Sequence, residues 1–251
     1  MTMDTNTAPE SGGPESAGYE SPMDAIRDEI LLSTLPNVVF DGWSDLALRD
    51  GARMAGHDTV MAHRAFPGGV PELVEHFGNW TDRRMLEEME KHPLSEMRTG
   101  ERIRLAVRTH FEVLELHREA KRRLLAYLAM PQNVALGLRM LYRTVDAMWF
   151  AAGDTATDFN HYTKRAMLAA VLSATTFYWL DDQSEGHEDT WAFLDRRLAD
   201  VMTVGQTTAR LGGIGRLLTH LPNPVRFARQ IRQRTGSAQA NNATIHMAEN
   251  I

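Results

Sequence analysis

Residues 55–74 read AGHDTVMAHRAFPGGVPELV, and their punctuation decides how the chain is built. Gly56 ends one helix, because glycine reaches the left-handed backbone that closes a helical C-terminus. Asp58 or Thr59 then starts a short helix through Val60, Met61 and Phe66, which stops at Pro67-Gly68-Gly69 before a longer helix over 70–90. Upstream, Ser21 caps and Pro22 opens a helix that carries Ile26, Ile30 and Leu31 toward Val38-Val39-Phe40. Asp41-Gly42-Trp43-Ser44 makes a turn, and Ser44 caps a short helix with Leu46, Leu48 and Met54. Downstream, Thr99 caps a helix through Ile103, Leu105, Val107, Phe111 and Leu114, with a break near His117 and a continuation to Leu128. Further helices are predicted over 132–152, 154–180 and 184–207. Apolar residues recur three and four apart throughout, and Val/Ile/Thr runs of period two are absent, so the chain reads as all-α. It shows no internal repeat and no sustained heptad seam.

Three short helices followed by a long one resemble the head of TetR-type regulators. Ala55-Gly56 stands at that family's turn before the recognition helix, and Phe66-Pro67 and Leu73 stand at its linkage into helix four. The resemblance implies an N-terminal helix-turn-helix-like head plus a C-terminal helical bundle domain. Charge argues against a DNA reader. Residues 20–92 hold 14 acids and 7 Lys/Arg, and the would-be recognition helix over 58–66 offers only Arg64. Affinity for DNA depends on neutralising phosphates, so no nucleic-acid partner is expected.

The 251 residues suffice for a sizeable core. There is no cysteine, which removes disulfides, thiolate nucleophiles and cysteine metal sites and gives no reason to invoke an oxidising compartment. No apolar run approaches the roughly 20 residues that span a bilayer. The first 19 residues carry Asp4, Glu10 and Glu15, no base and no apolar stretch, so residues 1–20 read as a disordered tail rather than a signal or transit peptide.

Ten histidines invite a search for metal or acid–base chemistry. No His-x-x-x-His or Glu-x-x-His occurs, so neither a zincin helix nor a di-iron bundle motif is present. His110 and His117 lie seven apart without a third ligand and read as exposed histidines. Asp158 and His161 supply at most two ligands, too few to hold a metal. LGGIGRL at 211–217 follows no strand and lacks the spacing of a nucleotide-binding loop. No metal, cofactor or catalytic residue is assigned, and no enzyme is expected.

Surfaces remain. The helix over 154–180 gathers Ala166, Met167, Ala169, Ala170 and Leu172 and ends in Phe177-Tyr178-Trp179-Leu180, a composition that suits a core or a two-fold dimer interface equally. Beyond Asp200 the chain is basic: Arg210, Arg216, Arg226, Arg229, Arg232 and Arg234 precede the next acid, Glu249. Leu211, Ile214, Leu217, Leu218 and Leu221 fall within a helical arc of roughly 120°. After Pro222 and Pro224, a second short helix sets Phe227, Ala228 and Ile231 against Arg226, Arg229 and Arg232. Gly212, Gly213 and Gly215 cost that first helix on the order of 1 kcal/mol each, so it needs a surface to fold on. That surface is anionic lipid, where each arginine contributes about 1 kcal/mol, or else the protein's own domain or a partner chain.

Met148-Trp149, GDTATDFNHYTKRAMLAA at 153–170 and EDTWAFLDRR at 188–197 together resemble the signature of the ubiquinone-biosynthesis Coq-nine family. The resemblance covers about residues 20–235. It implies a TetR-like fold given over to lipid, a homodimer built on the last long helices, an isoprenoid-sized pocket, a membrane-seated C-terminal helix, and a non-catalytic role. The family is thought to present a quinone intermediate to the demethoxyubiquinone hydroxylase, docking it through the signature surface.

On that resemblance the chain is expected to divide into a head over 21–92 that does not bind DNA, a lipid-binding and dimerisation domain over 93–207, an amphipathic membrane helix over 208–235 and a tail over 236–251. Its function would be that of a non-enzymatic accessory protein, peripheral on the inner face of a cytoplasmic membrane, carrying an isoprenoid quinone or phospholipid. Periodicity points to Phe111, Leu114, Leu141, Val145 and Met148 as lipid-binding residues. Asp154 is read as the cap of the signature helix. Docking would use Trp149, Asp158, His161, Tyr162 and Arg165, with His161 standing where the family has an aromatic; the alternative is that Asp158 and Arg165 are solvated helix charges. Membrane contact would use Leu211, Ile214, Leu218, Leu221, Arg226, Phe227, Arg229 and Ile231. The rival reading is a TetR-class transcriptional repressor with a small apolar effector.

Overall fold

The computed structural model describes residues 21–154 and 159–211, of which 159–161 and 202–211 are described as backbone alone. Among the described residues there are nine α-helices and no strand: α1 (Pro22–Asp41), α2 (Asp45–Met54), α3 (Thr59–Ala65), α4 (Val70–Glu90), α5 (Thr99–Leu114), α6 (Arg118–Leu128), α7 (Val134–Ala151), α8 (Phe159–Asp181) and α9 (Glu188–Leu211). Of the described residues, those up to Leu198 belong to one unit and 199–211 to a second. The expected tails at 1–20 and 236–251 lie outside the described residues.

The helices of the head start at their predicted caps. Ser21 accepts from the Asp24 N–H at 3.3 Å, Ser44 from Ala47 at 3.2 Å and Asp58 from Met61 at 2.7 Å, each satisfying a donor that the first helical turn leaves unpaired. Thr99 proves to be the first residue of α5 rather than its cap. Arg98 holds that place, and its N–H donates to the Glu101 carboxylate at 2.7 Å. Gly56, at φ 82°, closes α2 by letting the His57 N–H reach the Ala52 carbonyl at 2.8 Å. The break between α5 and α6 is a single tighter turn at Glu115–His117.

Packing in the head depends on one close approach. A Cβ on Gly51 would stand 2.0 Å from Thr34 Oγ1 and 2.6 Å from Thr34 Cα, so glycine is what allows α2 to lie directly on α1. Around that contact Ile30, Leu31 and Val38 of α1, Ala47 and Ala52 of α2, and Leu73, Val74 and Phe77 of α4 are buried. A core leucine, valine or phenylalanine stabilises by about 1.5–3 kcal/mol over its exposed state.

Two buried carboxylates fasten α4. Asp28 of α1 receives Arg83 at 2.8 and 2.6 Å and lies 2.7 Å from His76 Nε2, both residues on α4. On the other side Asp82 of α4 accepts from Thr144 Oγ1 at 2.8 Å and Arg143 Nε at 3.2 Å, both on α7. Farther along, Phe111 and the fully buried Trp179 meet with ring centroids 5.1 Å apart. The last carbonyls of α8 would be unpaired, but α6 supplies donors: Arg118 bonds Trp179 and Asp182, and Arg122 bonds Leu180. These cross-links hold α4 to α8 as a frame around the space between them.

Candidate functional site

That space is a cavity of about 540 Å³ walled by α4 to α8. Its walls are mostly Leu124, Leu125 and Leu128 of α6, Met140 and Leu141 of α7, and Leu172 of α8. Small residues, Gly78, Ala126, Gly137 and Ser173, also line it. Gly137 also sets the spacing of its helices, since a Cβ there would lie 3.3 Å from Leu128 Cβ. Close packing is the norm in protein interiors, and a leucine-lined void of this size departs from it. Val134, Leu138 and Phe177 line it yet are 45%, 63% and 66% exposed, forming an apolar rim where it meets solvent.

A few polar groups reach the wall. The hydroxyls of Thr81, Thr144 and Thr176 donate to the Phe77 carbonyl, the Asp82 carboxylate and the Leu172 carbonyl at 2.8, 2.8 and 2.7 Å. His110 and Lys121 also line the cavity. Burial, together with the charge of Lys121, holds the His110 imidazole well below its ordinary pKa, so it is neutral at pH 7. Burial likewise pulls Lys121 down to about 8, against the attraction of Asp82. Asp82 is itself raised by burial, which outweighs its bonds from Thr144 and Arg143.

The five pocket residues read from periodicity divide. Leu141 lines the cavity. Phe111, Leu114, Val145 and Met148 are fully buried in the packed interior beside it and are not among its lining. Periodicity finds inward-facing residues, but a void is bounded by whichever of them lack a partner. His110, read as exposed, is 4% exposed, because α5 packs against both α4 and α7; His117 is half-buried, edge-on to Trp80.

The signature surface also differs from its sequence reading. Arg165 is not displayed for docking or solvated. It is 5% exposed and inserted between Asp146 at 2.5 Å and Asp154 at 3.4 Å, partners 19 and 11 residues away that no local spacing reveals. Lys164 takes Asp154 at 2.8 Å and lies 5.3 Å over the half-buried Trp149 ring. Asp154 thus ties the end of α7 to α8 by its side chain. Tyr162 is 66% exposed, as the docking reading requires of it. Residues 155–158, with Asp158, lie outside the described residues, as does the His161 side chain.

Along α8, Ala166, Ala170 and Ala174 are exposed, followed by Phe177 and Tyr178. In the head, α3 turns Thr59, Val60, His63 and Arg64 outward, with Arg64 its one Lys/Arg. Leu211 ends α9 as backbone, and Ile214, Leu218, Leu221, Arg226, Phe227, Arg229 and Ile231 lie outside the described residues. Among the described residues no three His, Asp or Glu side chains gather as a metal would require, and no helix is long and apolar enough to cross a membrane.

Comparison with known proteins places this architecture. Its backbone is similar to the crystal structure of a TetR transcriptional regulator from Nitrosomonas europaea ATCC 19718, with TM-score 0.60 over 71% of this chain and 98% of that one; at 22% identity the likeness speaks for the fold alone. In sequence the chain is 35% identical over 216 residues to the mitochondrial ubiquinone biosynthesis protein COQ9 of Homo sapiens, covering 83% of this chain and 67% of the relative. It is 31% identical over 209 residues to the protein of the same name in Drosophila melanogaster, covering 82% and 64%. Residues 134–205, which include the α7 and α8 walls of the cavity and the signature helix, match the COQ9 family directly. With its TetR-type fold and this extent of identity, the chain belongs to the COQ9 family.

Proposed function

We propose that the chain is a non-enzymatic accessory protein of ubiquinone biosynthesis, which holds a polyprenyl quinone intermediate in the α4–α8 cavity and presents it to the demethoxyubiquinone hydroxylase at a membrane surface. One observation carries this reading: the leucine-lined void of about 540 Å³, with its apolar rim, shares α7 and α8 with the segment that matches the family. A cavity of several hundred Å³ takes a ring and the first few isoprene units. The rest of the chain would leave over Leu138 and Phe177. A phospholipid acyl chain fits the same chemistry.

The remaining parts follow from the surfaces. The small-residue stripe of α8 suits a two-fold partner, because Ala166, Ala170 and Ala174 let two helix backbones approach, with Tyr178 at its end. Tyr162 offers the hydroxylase an exposed aromatic anchor. The basic amphipathic sequence over 208–235 suits peripheral attachment, and the cysteine-free composition suits the reducing, inner face of a cytoplasmic membrane. The relatives named above are mitochondrial proteins.

The reading is tested by titrating a short-chain ubiquinone analogue into the protein and following tryptophan fluorescence, with liposome flotation of the full chain and of a chain lacking residues 208–235. Saturable quenching and flotation that needs 208–235 are expected. An unresponsive protein that ignores vesicles would overturn it.

A further inference from the structure

The cavity is not uniformly apolar, and its polar groups are not spent on packing. His110 lines the cavity, and its Nδ1 is buried without a hydrogen-bond partner. Such atoms are rare in folded proteins, because a buried polar atom left unpaired costs about 1–3 kcal/mol. Lys121 lines the same cavity, and its charge acts on both His110 and Asp82. The neighbouring threonine hydroxyls already direct their protons elsewhere. Ser173 brings a hydroxyl to the wall, and the nitrogen groups there belong to His110 and Lys121. A stability-driven sequence would place methionine or leucine at position 121, where the stem is half-buried among Leu124 and Leu125.

We propose that His110 and Lys121 form a head-group site inside the cavity for an acidic oxygen, a phenol or carboxylic acid carried at the end of an apolar molecule. The oxygen accepts a hydrogen bond from each residue and, once ionised, faces the ammonium in a setting where opposite charges attract more strongly than in water. Asp82 keeps Lys121 from losing its proton too readily and is itself held by Thr144 and Arg143, so the ligand meets a net donor wall rather than a second carboxylate. The apolar body of the ligand lies along Leu124, Leu141 and Leu172 toward the rim. This assignment rests on the lipid-cavity reading and adds to it the chemistry that fixes the head. A quinol would bring a phenol, a fatty acid a carboxylate.

The test uses the full chain and two matched pairs of probes: 4-nonylphenol with its methyl ether, and decanoic acid with its methyl ester, titrated by calorimetry. At least one free oxygen acid should bind more tightly than its capped partner by on the order of tenfold or more, the value of a hydrogen bond to a charged group. The phenol pair showing the preference points to a quinol-like head, the acid pair to a fatty acid. Lys121→Met should erase the preference of the free acid over its capped partner, and Lys121→Arg should restore most of it. If acids and capped probes bind alike to the natural chain, or if Lys121→Met keeps the preference, this proposal is wrong and the cavity reading stands. If no probe binds at all, the cavity reading falls and takes this proposal with it.

Discussion

Asp28 and Asp82 are both buried carboxylates on the two flanks of α4, yet their surroundings treat them in opposite ways. Burial opposes the charge on each. At Asp28 the bonds from His76 and Arg83 prevail and its pKa falls below the ordinary 3.8; at Asp82 burial prevails over Thr144 and Arg143 and its pKa rises. Asp28 sits in the head, where packing is closed and its bonded partners answer its charge. Asp82 sits beside the cavity, where His110 Nδ1 and Arg143 Nη2 are unpartnered and Lys121 is held near pH 8. Around Asp28 the buried charge is met by bonded partners, whereas His110 and Lys121 stand in a cavity wall with His110 Nδ1 unpartnered.

The largest effect that would sharpen this contrast is loss of a partner in the closed region. Asp28→Ala should cost about 3–5 kcal/mol in urea unfolding, since it strands Arg83 and His76. Asp82→Asn should cost far less, about 1 kcal/mol, because Asp82 is already strained as an anion. Equal losses would break the comparison. Acid titration gives the same contrast. The folded pKa of Asp28 is depressed, so its contribution is present above pH 3.8 and is lost as pH falls through the folded value; Asp28→Ala should flatten that acid-side decline.

Next in size, Gly51→Ala should cost about 1–3 kcal/mol, because the added methyl meets the Thr34 backbone rather than a side chain that can swing away. A thermal melt would show it, with ligand uptake per folded molecule unchanged.

The smallest stability effect belongs to Lys121→Met, within about 1 kcal/mol of the natural chain. Its pH signature is specific. The folded pKa of about 8 lies below the unfolded 10.5, so the unfolded chain holds more protons between them and stability rises with pH across that window. Lys121→Met should remove that rise. A rise that survives the substitution would assign it to another group.

Much of the fold was legible because helix punctuation is local. Ser21, Ser44 and Asp58 cap through donors three residues away, and the turn at His117 follows from a lapse in apolar spacing. The site was less legible because it is set by distant partners. Arg165 looks like a surface charge until Asp146 and Asp154 enclose it, and Phe111 and Met148 look like pocket walls until Trp179 and its neighbours pack them shut. In the sequence the cavity is marked only by small residues such as Ala126 and Ser173 among larger apolar ones, a pattern that an ordinary helix shares.

The central claim is that this void is a lipid chamber. It is tested most directly by organic extraction and mass spectrometry of the purified chain alongside a Ser173→Trp variant of matched thermal stability, in which an indole fills the space. The natural chain should carry about one oxygen-headed apolar lipid per molecule and the filled variant almost none. An equal lipid load on both would contradict the account.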